Sequence, residues 1–229
     1  MSWTCEIALT GDAARRSPVA AWLSQAGPGL AALDGLCTLD AYTATEQAAR
    51  DPYNGGEIPP LLLLLAAFAD EAGLRRAMAD PVLDDWLSRR PDGTAVTVSA
   101  LRRSFHAPDA AGTMPAPVSY VVRYLLPADD AAAFRRAYLA GLVPIQARLP
   151  GIRSILCYVL LADAAGRWPA MDYLIGNEVA FDSVDAFNAA MRSPARDELR
   201  TQSGTLPAYS GNGSHVLMRR ERLFTAGRD

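Results

Sequence analysis

The chain is short of the residues from which most metal and nucleophilic sites are built. Two histidines and three cysteines stand among 229 residues. Cys5, Cys37 and Cys157 are odd in number and lack ligand spacing, and no His, Asp and Glu cluster falls at the intervals a metal requires. Haem needs an axial ligand, and only His215 lies inside an expected element. No Gly-rich phosphate loop follows a strand, Gly211-Asn212-Gly213 preceding one instead, and no nucleophile elbow occurs. The expected cofactor is therefore none. The most apolar stretch, Leu61 to Phe68, is far below the ~20 residues that span a bilayer, and no basic stretch followed by an apolar run opens the chain. Unpaired thiols without a secretory signal predict a cytoplasmic protein. A net charge of −3, with paired arginines scattered among acids, offers no basic stripe, so neither nucleic acid nor membrane is an expected partner.

What the chain does have is a repeat. Leu33-Asp34-Gly35-Leu36 is echoed 116 residues later by Leu149-Pro150-Gly151-Ile152. Phe68 through Met78-Ala79-Asp80-Pro81 is echoed at 113 by Phe181 through Met191-Arg192-Ser193-Pro194, and Leu101-Arg102-Arg103 at 117 by Met218-Arg219-Arg220. Offsets that drift by a few residues in constant order are what loop insertions in a duplicated unit produce.

Each half reads β-α-β-β-α-β. In the first, strands are expected over Trp3–Leu9, Leu36–Tyr42, Leu61–Phe68 and Thr94–Arg103, with helices over Pro18–Leu33 and Asp70–Leu87. In the second, strands fall at Val118–Leu126, Ile152–Leu161, Tyr173–Phe181 and His215–Arg222, with helices at Asp129–Leu149 and Val184–Leu199, the latter capped by Asp182 or Ser183. Ala107 to Pro117 is small and proline-rich, a linker, and Thr43 to Pro60 is a turn-rich excursion. The domains are thus 1–106, a linker at 107–117, and 118–229. Such units form a four-stranded antiparallel sheet with both helices on one face, the ferredoxin-like motif, and the bare face must be covered. The expected fold is α+β: two tandem ferredoxin-like repeats packed sheet to sheet as a pseudo-dimeric barrel. Further pairing into a homodimer is left open.

Phe134-x₃-Tyr138-x₅-Pro144, Leu149-Pro150-Gly151-Ile152, Glu178-x₂-Phe181-Asp182-Ser183-x₃-Phe187 and Ala190-Met191-x-Ser193-Pro194 resemble the EthD-like branch of the dimeric α+β barrel superfamily. The resemblance spans about 105 residues of the second half and, through Trp22, Pro28, Gly35, Phe68, Met78 and Pro81, extends more faintly to the first. It implies a barrel that binds hydrophobic aromatic or polyketide-like metabolites. Relatives in that superfamily include cofactor-free oxygenases, cyclases, lyases and isomerases, haem enzymes and accessory proteins, among which fold does not choose. Family members often place a histidine two residues before the first helix's proline. Here that position is Leu142, and Ala26 in the first copy.

Comparing the copies isolates three polar positions: Asn177 against Leu64, Glu178 against Leu65, and His215 against Val98. A carboxylate, an amide and an imidazole on neighbouring strands could form a proton-transfer set, with Glu178 as general base and His215 as acid or orienting group. Asn177, Tyr158 and Arg123 would position an oxyanion, and Tyr120, Tyr124 and Tyr173 would contact ligand. The competing reading pairs Glu178 with Arg123 and gives His215 a backbone carbonyl. Tyr158 matches Tyr42, which favours packing, and His106 is expected to be exposed. The function that follows is binding, and conversion by lyase, isomerase or cyclase proton transfer, of a small hydrophobic metabolite. A non-catalytic binding or accessory protein and a cofactor-free oxygenase are the alternatives.

Overall fold

The computed structural model describes residues 2–46, 49–53, 58–108, 116–161 and 166–227, without the side chains of 107 and 108. Its strands are β1 (Ser2–Gly11), β2 (Leu36–Ala44), β3 (Leu62–Phe68), β4 (Thr94–Pro108), β5 (Val118–Leu125), β6 (Ile152–Leu160), β7 (Tyr173–Phe181) and β8 (Gly213–Thr225). Its α-helices are α1 (Arg16–Leu30), α2 (Glu71–Ala79), α3 (Pro81–Ser88), α4 (Ala131–Gln146), α5 (Val184–Ala190) and α6 (Pro194–Ser203).

The eight strands close into an antiparallel barrel in the order β1-β3-β2-β8-β5-β7-β6-β4. Within it each half keeps the order fourth, first, third, second strand. The halves do more than face each other: β2 pairs with β8 and β4 with β6, so each sheet's open edges are hydrogen-bonded to the other half. Closure removes every edge, which explains why β4 runs five residues past the expected Arg103, with Phe105 opposite Leu156. The expected linker therefore begins as strand; its residues 109–115 lie outside the described residues.

Two expected helices are each two. Asp80 and Ser193 both adopt extended backbone before a proline, because the pyrrolidine ring crowds the preceding residue out of the helical region. Asp80 ends α2 and its side chain then accepts from Val82 N at the start of α3. Ser183 is the cap of α5, accepting from Ala186 N at 3.0 Å. The glycines of the two Leu-x-Gly echoes, Gly35 and Gly151, have φ of 73° and 75°, the left-handed region where a side chain would be strained.

Strand alternation sorts the side chains into three layers. Cys5, Ile7 and Leu9 face outward with Leu62, Leu64, Ala66 and Phe68 onto α1 to α3. Val118, Ile155, Val179 and Phe181 face α4 to α6 in the second half. Ala8, Tyr42, Leu63, Leu65, Leu101, Val121, Leu156, Tyr158, Tyr173, Val216 and Met218 fill the barrel. All seven residues of β3 are buried, as an apolar run covered on both faces requires.

Candidate active site

The barrel interior holds more than apolar side chains. Glu178 is fully buried and accepts hydrogen bonds from Tyr158 (2.6 Å), Ser119 (2.7 Å), Tyr42 (3.0 Å) and Arg220 (3.4 Å). Arg123 does not reach it. Its guanidinium pairs with Glu6 at 2.5 Å and donates to the Tyr173 hydroxyl at 3.0 Å, while Tyr173 itself donates to Glu6. Asp40 closes the series by binding Arg220 at 2.8 Å, together with Arg222. Burial alone would lower the pKa of Arg123, but the Glu6 carboxylate and the tyrosines around it more than offset this and hold it well above the ordinary value. These are paired charges in a packed interior, a framework that holds strands together.

On the other side of the second-half sheet lies a cavity of about 410 Å³ between β5, β7, β8 and the helices α4 and α6. Tyr120, Tyr124 and His215 form its sheet wall, and Tyr138, Leu142, Gln146 and Leu199 its helix wall. The Tyr124 hydroxyl lies 3.3 Å from His215 Nε2, with the rings edge-on at 5.5 Å. Burial, with a smaller contribution from Tyr209, pushes the Tyr124 phenol up to about 12, so it is a neutral donor across the physiological range. An imidazole held by a neutral phenol beside an aromatic-lined cavity can exchange a proton with a bound ligand.

The described part of the Thr43–Pro60 excursion reaches across to this cavity. Asp51 takes a bidentate pair from Arg196, Nε at 3.0 Å and Nη2 at 2.9 Å, and accepts from the Tyr120 hydroxyl at 2.7 Å. Arg196 also lies 4.8 Å over the Tyr53 ring, and Tyr53 donates to Asp197 at 2.6 Å. Two cavity-wall residues of the second half are thereby fixed by a segment of the first.

Glu178 and His215, expected to act together, are on opposite faces of the sheet. Glu178 stands opposite Val121 in the ladder and points into the barrel; His215 stands opposite Val122 and points to the helices. Adjacent strand residues alternate, and no rotamer brings the two together. Tyr158, Arg123 and Tyr173 share the interior with Glu178, and the expected Glu178–Arg123 pair is replaced by Arg123–Glu6. Tyr120, Tyr124 and His215 line the cavity. Asn177 stands just behind its wall, accepting from Gln146 Nε2 at 2.9 Å and donating to the Leu156 carbonyl at 3.2 Å. His106 is half-buried, its Nε2 2.7 Å from Ser104 Oγ. The helix wall was missed by a comparison confined to strands. Extended to helices at the 116-residue offset, it pairs Tyr138 with Trp22 and Gln146 with Leu30; the 113-residue offset pairs Leu199 with Trp86.

Among the described residues no group of three or more His, Cys, Asp or Glu could hold a metal ion, and no helix is long and apolar enough to cross a membrane. No protein-family model matches the sequence, and no curated protein matches it. Solved structures do. An anthrone oxidase-like protein superposes with a TM-score of 0.62 at 15% identity, covering 96% of this chain and 92% of the other. A candidate monooxygenase from Lactobacillus acidophilus gives 0.56 at 11% identity over 96% and 94% of the two chains. A chlorite dismutase mutant from Candidatus Nitrospira defluvii gives 0.51 at 9% identity over 96% and 90%. At such identities the likeness is one of fold, and it covers nearly the whole chain: a closed antiparallel barrel of eight strands with external helices.

Proposed function

We propose that the second-half cavity binds a small hydrophobic metabolite, aromatic or polyketide-like, and that His215, oriented by Tyr124, moves a proton on it without a cofactor. Chemistry of this kind belongs to lyases, isomerases and cyclases. The contrast between the halves carries the reading. Where the second half has its cavity, the first has Trp22 and Trp86 with ring centroids 4.0 Å apart, both buried. Their counterparts at the repeat offsets, Tyr138 and Leu199, are smaller and line open space. The same offsets and the matching strand order support a tandem duplication of a ferredoxin-like unit, 1–106 and 118–229, with the second copy EthD-like. Three free cysteines accord with a cytoplasmic setting.

The first half supplies its own test. Leu199→Trp places in α6 the indole that closes the space in the other copy. It should abolish the thermal shift produced by aromatic ligands while leaving the melting temperature of the free protein unchanged or raised, since filling a void adds contacts. An undiminished ligand shift in this variant would remove the cavity from consideration. His215→Ala should lower turnover of an enolisable aromatic substrate by about 10²–10⁴-fold with affinity changed only a few-fold, the range for loss of a general acid or base. Stabilisation of the parent protein without any turnover would instead assign a binding or accessory role.

An oxygenase reading has its own support, in that three structural neighbours carry monooxygenase or anthrone oxidase-like names. Removal of a proton from a bound phenol or enol is a first step common to both readings. Dioxygen uptake matched to substrate loss, followed with an oxygen electrode, selects the oxygenase; equal turnover without oxygen selects proton transfer alone.

A further inference from the structure

The wall of the second-half cavity carries formal charge of one sign. Among the described residues that line it are two arginines, Arg196 and Arg200, and no carboxylate. They stand four residues apart on α6, on one face of the helix. The 113-residue offset that sets Leu199 against Trp86 also sets Arg196 against Leu83 and Arg200 against Leu87, and both leucines are buried in the first-half core. Where α3 closes its half with leucine, α6 presents guanidinium to open space.

The two arginines are not equivalent. Arg196 is buried and committed: Asp51 accepts from its Nε and its Nη2 and balances its charge. Arg200 is exposed, and among the described residues its guanidinium has neither an ion pair nor a hydrogen bond. Asp197, three residues before it, accepts from the Tyr53 hydroxyl, and Glu198 pairs with Arg148. What positions Arg200 is the Tyr53 ring. The guanidinium carbon lies 5.6 Å from that ring's centroid, with that of Arg196 at 4.8 Å. A cation–π contact fixes the group without occupying its donors or cancelling its charge.

A neutral ligand entering the cavity would displace part of the water around this guanidinium and return nothing. An anion would return an ion pair and hydrogen bonds, strengthened by the low polarity of the apolar wall behind it. A carboxylate, planar and singly charged, matches one guanidinium fork. A phosphate dianion calls for a second free cation, and Arg196 is already held by Asp51. We infer that the ligand of this cavity is an acid, a hydrophobic aromatic ring bearing a carboxylate that pairs with Arg200 at the rim. This rests on the reading of the cavity as an aromatic-metabolite site and adds the group by which the metabolite is chosen. Arg200 is then a specificity-determining residue, distinct from the His215 and Tyr124 pair.

The test compares 1-naphthoate with 1-naphthamide by calorimetry on the full chain, two ligands of nearly one shape that differ in charge. In about 0.01 M salt the acid should bind at least ~5-fold more tightly, as a partly exposed ion pair of good geometry allows. In about 0.5 M salt screening should shrink the preference to within ~2-fold. Arg200→Gln should bring acid and amide within ~2-fold already in low salt, chiefly by weakening the acid. Arg200→Lys, which restores the charge without the fork, should keep a preference for the acid. Equal affinity of the two ligands for the parent protein, or a preference for the amide, sinks the inference and leaves the aromatic cavity standing. A preference for the acid that survives Arg200→Gln overturns it in the same way. Binding of neither ligand overturns both the inference and the reading beneath it.

Discussion

Arg123→Met is expected to destabilise the protein by about 3–5 kcal/mol, the cost of leaving a buried carboxylate without its counter-charge. Glu6 is 2% exposed and Arg123 4%, and among the described residues the variant would leave Glu6 only the Tyr173 hydroxyl. Urea unfolding followed by far-UV circular dichroism measures the loss. The companion double variant Glu6→Leu with Arg123→Met should recover most of it, because two apolar side chains of similar length need no pairing. A single variant within 1 kcal/mol of the parent would show that water reaches the pair and that the barrel interior is not the closed medium its burial implies. The pair also crosses the repeat. By the strand registers, the position equivalent to Glu6 is Val121 and that equivalent to Arg123 is Ala8, so each charge stands where the other half is apolar.

That asymmetry shows how far the sequence could be read. The repeat offsets predict the same elements in the same order in each half, and the two halves do share their strand order. The prolines after Asp80 and Ser193 carried the helix breaks, and the restriction a proline places on the residue before it is local chemistry. Barrel closure was not local: the β2–β8 and β4–β6 ladders join strands from different halves, and no repeated pattern marks which edges meet. The site was half legible for a geometric reason. Subtracting one copy from the other found Asn177, Glu178 and His215, yet 177 and 178 are neighbours on one strand and must face opposite ways. Parity alone would have sent Glu178 inward with Tyr158, and Asn177 outward with His215 towards the helices. The remaining cavity residues lie on α4 and α6, where the informative changes are in size as well as polarity: tryptophan to tyrosine, tryptophan to leucine, leucine to glutamine.

Five of the eight tyrosines also make alkaline pH the weak side of the fold. Tyr42, Tyr138, Tyr158 and Tyr173 are held well above the ordinary phenol value, and Tyr124 is pushed up to about 12. In every case burial is the first cause; at Tyr42 and Tyr158 the Glu178 carboxylate adds to it, and at Tyr173 the Glu6 carboxylate does, against the opposing arginines. In the unfolded chain these phenols titrate near ~10. Because the folded state binds their protons more tightly, the stability they contribute is fully present below pH ~10. It is lost as the pH rises from there towards the folded values, since only the unfolded chain then releases protons. Each phenol removes about 1.4 kcal/mol per pH unit in that window, so five together remove roughly 7, comparable with the whole stability of an ordinary domain at about 5–15 kcal/mol. Cooperative unfolding is therefore expected within one to two pH units above 10. Absorbance at ~295 nm should show the partly exposed Tyr53 and Tyr209 ionising before a steep second step that coincides with loss of the near-ultraviolet dichroism. Tyr158→Phe should make the fall of stability with pH measurably shallower, by about a fifth of its slope, since one of the five linked protons is gone. Ionisation of all eight phenols as a single group near pH 10, with the dichroism intact, would contradict the packed polar interior on which the barrel depends.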